Sequence, residues 1–319
     1  MKAAQAVSAA REWNPFPEKP RFSGHETFPF RYAWMAKTVN GLKADPEIFV
    51  KGTNYENGMQ EFGVGTNMVR SMEHWALALE LIKREPTSRT AYIPTALGDR
   101  FFSTEGWDPY LEDMNTIWWM HWQLVRNQRM STTWWWAFNA FGARTFTREH
   151  LQHALSEELT KHKMVIPKSL KRDTDVFIRS YVELMKPGEI KDDTLECPLT
   201  ELRLIRSVKD VDGGRQRYQF VEEGHESLSD ELFAYVVALY IRDRYGVEVK
   251  ENGGSTVTVT DLLYADRSPG RIYRLSDSAF IQRLEAMSAI PGIEYDETAG
   301  LQQIFITDPK ALTEIKAEQ

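Results

Sequence analysis

The chain of 319 residues has a single cysteine, Cys197. That excludes an internal disulfide and any cysteine-built zinc site, and it fits a reducing compartment. Long apolar runs are missing as well. The longest outside the amino terminus, Phe233 to Ile241, falls far short of the roughly 20 residues needed to span a bilayer. The opening MKAAQAVSAAREW is too short and too weakly apolar for a secretory signal, and Arg11 and Glu12 interrupt it. A cytoplasmic protein with no membrane association is expected. Positive charge is not in surplus either: 39 Lys and Arg against 46 Asp and Glu leave a net charge of −7, which argues against a generic basic coat. There is no HExxH, no His-Asn-His or lysine-carboxylate nuclease signature, no internal repeat and no sustained heptad.

What is present is a globular composition, 42% apolar and 27% charged, long enough for two or three subdomains around a sizeable core. The most informative stretch is Phe62 to Ile82. Met68, Met72, Trp75, Leu79 and Ile82 alternate at spacings of four and three, which places them on one face of a helix. Asn67, Arg70, Ser71 and His74 form a second line at helical spacing, open to a partner. Gly63 and Gly65 let the preceding backbone turn, and Thr66 is expected to cap the first turn. GVGTN lacks the Lys-Ser/Thr pair of a phosphate-binding loop. An apolar-backed helix with Asn and Arg at its start is what a helix-turn-helix reader presents to the major groove, Arg to guanine and Asn to adenine. The plainer alternative is a solvated polar face.

Charge is unevenly spread. Residues 1–105 hold 13 Lys and Arg against 12 Asp and Glu, which leaves 26 against 34 for residues 106–319. DNA contact is therefore expected on the amino-terminal part, and the acidic remainder suits a protein partner or a metal-dependent site.

Three blocks in order, FSGHETFPFRYAWMAK (Phe22 to Lys37), GVGTNMVRSMEHW (Gly63 to Trp75) and DPYLEDMNTIWWMHWQL (Asp108 to Leu124), resemble the bacterial "domain of unknown function 4007" family, with weaker agreement around SPGRIYRL (Ser268 to Leu275). The family occurs in DNA phosphorothioation and related phage-defence operons. The resemblance implies a DNA nickase that hydrolyses one strand of double-stranded DNA with a divalent metal, Mg²⁺ or Mn²⁺. It also implies partners from the phosphorothioation machinery: a cysteine desulfurase, an ATPase and a sulfur-transfer enzyme. The alternative is a non-enzymatic adaptor or regulator that binds DNA and recruits that machinery.

Other residues carry paired readings. His25 and Glu26, adjacent near a helix expected over Phe28 to Val39 with Thr27 as cap, could activate a water for phosphodiester attack or could simply cap the helix. Arg31 could grip a phosphate or form a surface ion pair. Asp108-Pro109 reads as a helix start, with Glu112 and Asp113 either opposing the dipole or ligating a metal. Six tryptophans between Trp118 and Trp136 form either a base-stacking platform or, more simply, a packed helix seam. His150, His153 and Glu157 share a face of a helix capped by Thr147, short of a metal motif.

The fold expected is mainly α with small β-hairpins, an α+β class. An extended arm covers 1–21, a winged helix-turn-helix 22–105, a helical region 106–190, and a second winged-helix-like module 191–319.

Overall fold

A computed structural model describes residues 16–50, 55–183, 197–208, 216–245, 255–298 and 301–307. Most of the expected arm and the turns expected at 186–188, 212–214 and 298–300 fall wholly or partly outside them. The architecture is α+β, with helices dominant and small antiparallel sheets. The chain divides into two compact units, Phe16–Val221 and, among described residues, 222–307. The segments expected to be a reader (22–105) and a helical region (106–190) thus lie in one unit.

The first unit opens with α1 (Trp34–Ala44), α2 (Glu56–Phe62), α3 (Thr66–Ala78), a hairpin of β1 (Ile82–Arg84) and β2 (Tyr92–Pro94), and α4 (Ala96–Phe102). Between α2 and α3, Gly63 takes a left-handed φ of 67° and its N–H returns to the Met59 carbonyl. This stops one helix and aims the next. Expectation and structure differ at the edges of these elements. The helix expected from Phe28 starts six residues later, because the Phe28 carbonyl accepts instead from Ser71 Oγ (3.3 Å) and Trp75 Nε1 (3.0 Å). Thr66 does not cap α3. Gly65 occupies that position with no side-chain bond, and the Thr66 hydroxyl meets the Met59 sulfur. The helix stops at Ala78 because Glu80 turns left-handed (φ 60°) and Leu81 N–H returns to Ala76. Ile82 is still buried, now as the first residue of β1.

Next come α5 (Met114–Arg126), α6 (Thr132–Asn139), β3 (Thr145–Phe146), α7 (Arg148–Lys161), α8 (Leu170–Tyr181), a 3₁₀ turn at Pro198–Leu202, β4 (Ile205–Val208) and β5 (Arg217–Phe220), with strand order β3-β5-β4. Asp113, not Asp108, caps α5, its carboxylate accepting from Asn115 N–H at 2.8 Å. Asp108 is buried and accepts from the Glu112 and Asp113 amides, which closes a separate turn. All six tryptophans of α5 and α6 are buried, so they form a seam between the two helices and no open stacking platform. Thr147 caps α7 as expected, accepting from His150 N–H. Residues 199–208 are taken up by the 3₁₀ turn and a strand. Arg203 takes φ 52° and frees the following residues to pair with β5.

The second unit runs α9 (Asp230–Tyr245), β6 (Ser255–Thr258), α10 (Val259–Tyr264), α11 (Pro269–Tyr273), α12 (Asp277–Met287), β7 (Ile293–Thr298) and β8 (Leu301–Ile306), with strand order β6-β8-β7. The helix α10 begins at Val259, where Thr258 caps it by accepting from Asp261 N–H. Its core gathers Phe233, Val237, Leu262, Ile272, Phe280, Leu284 and Ile304.

Candidate functional site

Two neighbourhoods of the first unit take up the residues singled out by sequence. The outer one is the start of α3. Asn67 and Arg70 are exposed and Thr66 is half-exposed. Arg70 is not loose. Its guanidinium lies 5.4 Å from the Tyr55 ring centroid, and Nη1 lies 3.8 Å from the Glu26 carboxylate. An exposed ion pair of this length is worth at most about 1 kcal/mol, so it orients the arginine and leaves it able to exchange partners. Arg31 is half-buried, with its guanidinium 5.5 Å from the Trp34 ring and 5.9 Å from the Phe28 ring.

The other half of the polar line turns inward. Ser71 and His74 are buried, Ser71 on the Phe28 carbonyl and His74 among aromatic rings, so neither is placed to touch a duplex. The cause is the strap of residues 16–33, which crosses the face of α3 that a solvated line would have left open.

The inner neighbourhood lies under that strap. His25 Nε2 donates to Asp173 Oδ1 at 2.5 Å, and the Thr133 hydroxyl donates to Oδ2 of the same carboxylate. Asp173 belongs to the first turn of α8, and Thr133 to the first turn of α6. The His25 ring stacks on Trp75 at 5.6 Å and meets His74 edge-on at 5.5 Å. Neither ring nitrogen of His74 has a hydrogen-bond partner. Burial first, then the nearby His25 and Arg21, hold His74 well below the ordinary imidazole pKa, so it is a neutral ring at neutral pH. Gly24 makes this packing possible: its φ is +116°, and a Cβ there would come within 2.6 Å of His74 Nδ1.

His25 and Glu26 therefore separate. The imidazole goes inward to Asp173, and the carboxylate, from a left-handed backbone (φ 52°), goes outward to Arg70. They do not converge on a point where a water could be activated. Nor do the residues fit a metal centre built by the protein alone: among the described residues no group of three His, Cys, Asp or Glu is placed to hold an ion. His153 and Glu157 make only an exposed pair at 3.5 Å, and His150 forms an edge contact with Phe141.

Sequence reasoning missed Asp173 and Thr133, whose partners lie 148 and 40 positions away along the chain. It also missed Glu73, buried on the polar side of α3 and bonded by the Tyr92 hydroxyl (2.9 Å) and the Tyr55 hydroxyl (3.3 Å). Burial, followed by the Glu73 charge, raises both phenols to about 12. No local spacing announces either network.

Residues 22–317 match the model of the family described as "Protein of unknown function (DUF4007)". No curated protein sequence matches the chain. Among solved structures, the fold is similar to that of a magnesium ion-bound SspB crystal structure, with a TM-score of 0.77. It is similar also to a second SspB crystal structure, with a TM-score of 0.76. In both, sequence identity is 23%, and the likeness covers 94% of this chain and 87% of the other.

Proposed function

We propose that this chain, which belongs to the DUF4007 family, is a DNA-binding nickase of a phosphorothioation-based phage-defence system. The observation that carries the DNA-binding part is the start of α3. A helix, a glycine turn and a second helix present Asn67 and Arg70 to solvent, and a β-hairpin follows. We read α1 to β2 as a winged helix-turn-helix, and the α9 to β8 unit, with helices inserted between β6 and the β7-β8 hairpin, as a second such module. In the first module Arg70 would leave Glu26 for a guanine edge or a phosphate as the duplex arrives. The acid-rich second module suits a protein partner, and the candidates are the desulfurase, the ATPase and the sulfur-transfer enzyme that the family resemblance implies.

Strand nicking is the activity that the family resemblance implies, and one SspB structure is magnesium-bound. A divalent ion would supply a polarised water and charge neutralisation at the phosphate. His25 and Glu26 diverge, so they do not form the pair expected for that chemistry, and no step is assigned to them. This divergence favours a second reading: a DNA-binding adaptor that recruits the modification machinery without cutting.

One experiment distinguishes the two. Supercoiled plasmid is incubated with the full chain in Mg²⁺, in Mn²⁺ and in chelator. Open circles formed only with metal support the nickase, and gel retardation without conversion supports the adaptor. Arg70→Ala should weaken duplex binding about 5- to 150-fold, the roughly 1–3 kcal/mol carried by a base-contacting arginine. Unchanged affinity at two salt concentrations would remove this surface from the reading.

A further inference from the structure

A DNA-binding role resting on α3 alone leaves an electrostatic shortfall. Most of the affinity of a protein for DNA comes from cations that displace counterions from the phosphates. The start of α3 offers one exposed arginine, on a molecule of net charge −7. The missing cations stand elsewhere in the same unit, in a part of the chain whose overall balance is acidic.

From the last turn of α7 to the first turn of α8, residues 159–172 read LTKHKMVIPKSLKR, with Lys161, Lys163, Lys168, Lys171 and Arg172 and no acidic residue. All five cations are exposed. Lys161 is paired with Glu158 at 3.1 Å, whereas Lys163, Lys168, Lys171 and Arg172 have no ion-pair partner among the described residues. The loop holds a defined shape: Lys163 N–H returns to Thr160, Met164 N–H to Leu159 and Leu170 N–H to Pro167. Lys163 itself sits at φ 57°, the left-handed position at which helices commonly end. Between the cations Val165 is 90% exposed and Ile166 49% exposed. These two bare aliphatic side chains lie between the cations in the sequence, and covering them would take apolar surface out of water.

The loop is also tied to the reader. It runs directly into α8, whose first turn carries Asp173. Asp173 holds His25, and His25 packs against His74 of α3. Only one imidazole layer separates the base of the loop from the rear of α3.

We infer that the α7–α8 loop, with the first turn of α8, is a second DNA contact, independent of sequence, in which Lys163, Lys168, Lys171 and Arg172 bind backbone phosphates and Val165 and Ile166 lie against the groove wall. The inference rests on the reading of the chain as a DNA-binding protein. It gives that reading its affinity, while α3 gives it register.

The test measures fluorescence anisotropy of the full chain on a labelled duplex, at several salt concentrations, for wild type, Arg70→Ala and the triple variant Lys168→Gln/Lys171→Gln/Arg172→Gln. All three substituted side chains are exposed, and an unchanged melting temperature establishes that the variant is folded. The triple variant should bind at least 10-fold more weakly, by the same factor on unrelated sequences. Its slope of log affinity against log salt should be shallower by about 2 to 3, since each phosphate no longer neutralised removes roughly 0.9 from the slope. If the triple variant matches wild type in affinity and slope while Arg70→Ala is weakened, the loop is not a DNA contact and the reader stands. If the wild-type chain binds no duplex at any salt, the DNA reading itself fails and takes the loop with it. Loss of binding to phosphatidylserine vesicles or to polyglutamate, with duplex binding intact, would assign the loop to another partner and overturn the inference.

Discussion

At the scale of single residues, the centre of the first unit is the Asp173 carboxylate, which holds both His25 and Thr133 out of water. Removing one member of such a buried set leaves the others with desolvated, unpaired polar atoms. Asp173→Ala should therefore destabilise the first unit by about 3–5 kcal/mol. Asp173→Asn, which keeps an acceptor for the histidine, should cost less. Denaturant unfolding measures both, and equal small losses would show the network to be dispensable. That aspartate was not legible from the sequence. The adjacency of His25 and Glu26 suggested joint chemistry, but neighbouring side chains separate whenever the backbone between them turns. Here the left-handed φ of Glu26 sends one inward and the other out.

At the scale of elements, much more could be read in advance. The 3–4 spacing of Met72, Trp75 and Leu79 identified α3, and the paired tryptophan clusters identified the α5–α6 seam, because burial of an apolar face is a local, periodic requirement. Helix ends were less legible, since long-range hydrogen bonds decide them. The Phe28 carbonyl, taken by Ser71 and Trp75, delays α1, and the Asp108 carboxylate, closed on its own turn, delays α5. Of the polar line on α3, Asn67 and Arg70 stayed outside and Ser71 and His74 did not, because the covering strap lies some 45 residues upstream of them. The uncapped start of α3 yields its own expectation. Gly65 has φ −74° with open space where a Cβ would stand, so Gly65→Ser adds a capping hydroxyl without strain. A gain of about 0.3–1 kcal/mol, seen as a rise of one to a few degrees in melting temperature, is expected. A fall would mean that the glycine serves the turn and not the cap.

At the scale of the whole molecule, each unit contains a histidine held below its ordinary value of 6.5, His74 in the first and His225 in the second, in both cases chiefly by burial. The unfolded chain takes up these protons as pH falls through about 6.5, while the folded protein does not. Acid therefore favours unfolding, and stability present above pH 6.5 is lost below it, by up to about 1.4 kcal/mol per pH unit for each proton. Urea unfolding at pH 7.5, 6.0 and 5.0 should show this limb, and His74→Leu, which removes a ring with two unsatisfied nitrogens, should flatten it. An identical acid slope in the variant would place the effect on other groups.

The strap that ends just past residue 30 fastens to three helices at once: to α6 through Arg21 and Thr132, to α8 through His25 and Asp173, and to α3 through the Phe28 carbonyl. A bolt of this kind cannot be drawn from one hole alone. Any event that lifts it, whether a protease cut, a competing peptide or a proton on a sunken ring, would free the back of α3 and the start of α8 in the same stroke, so that the two proposed DNA contacts would fail together.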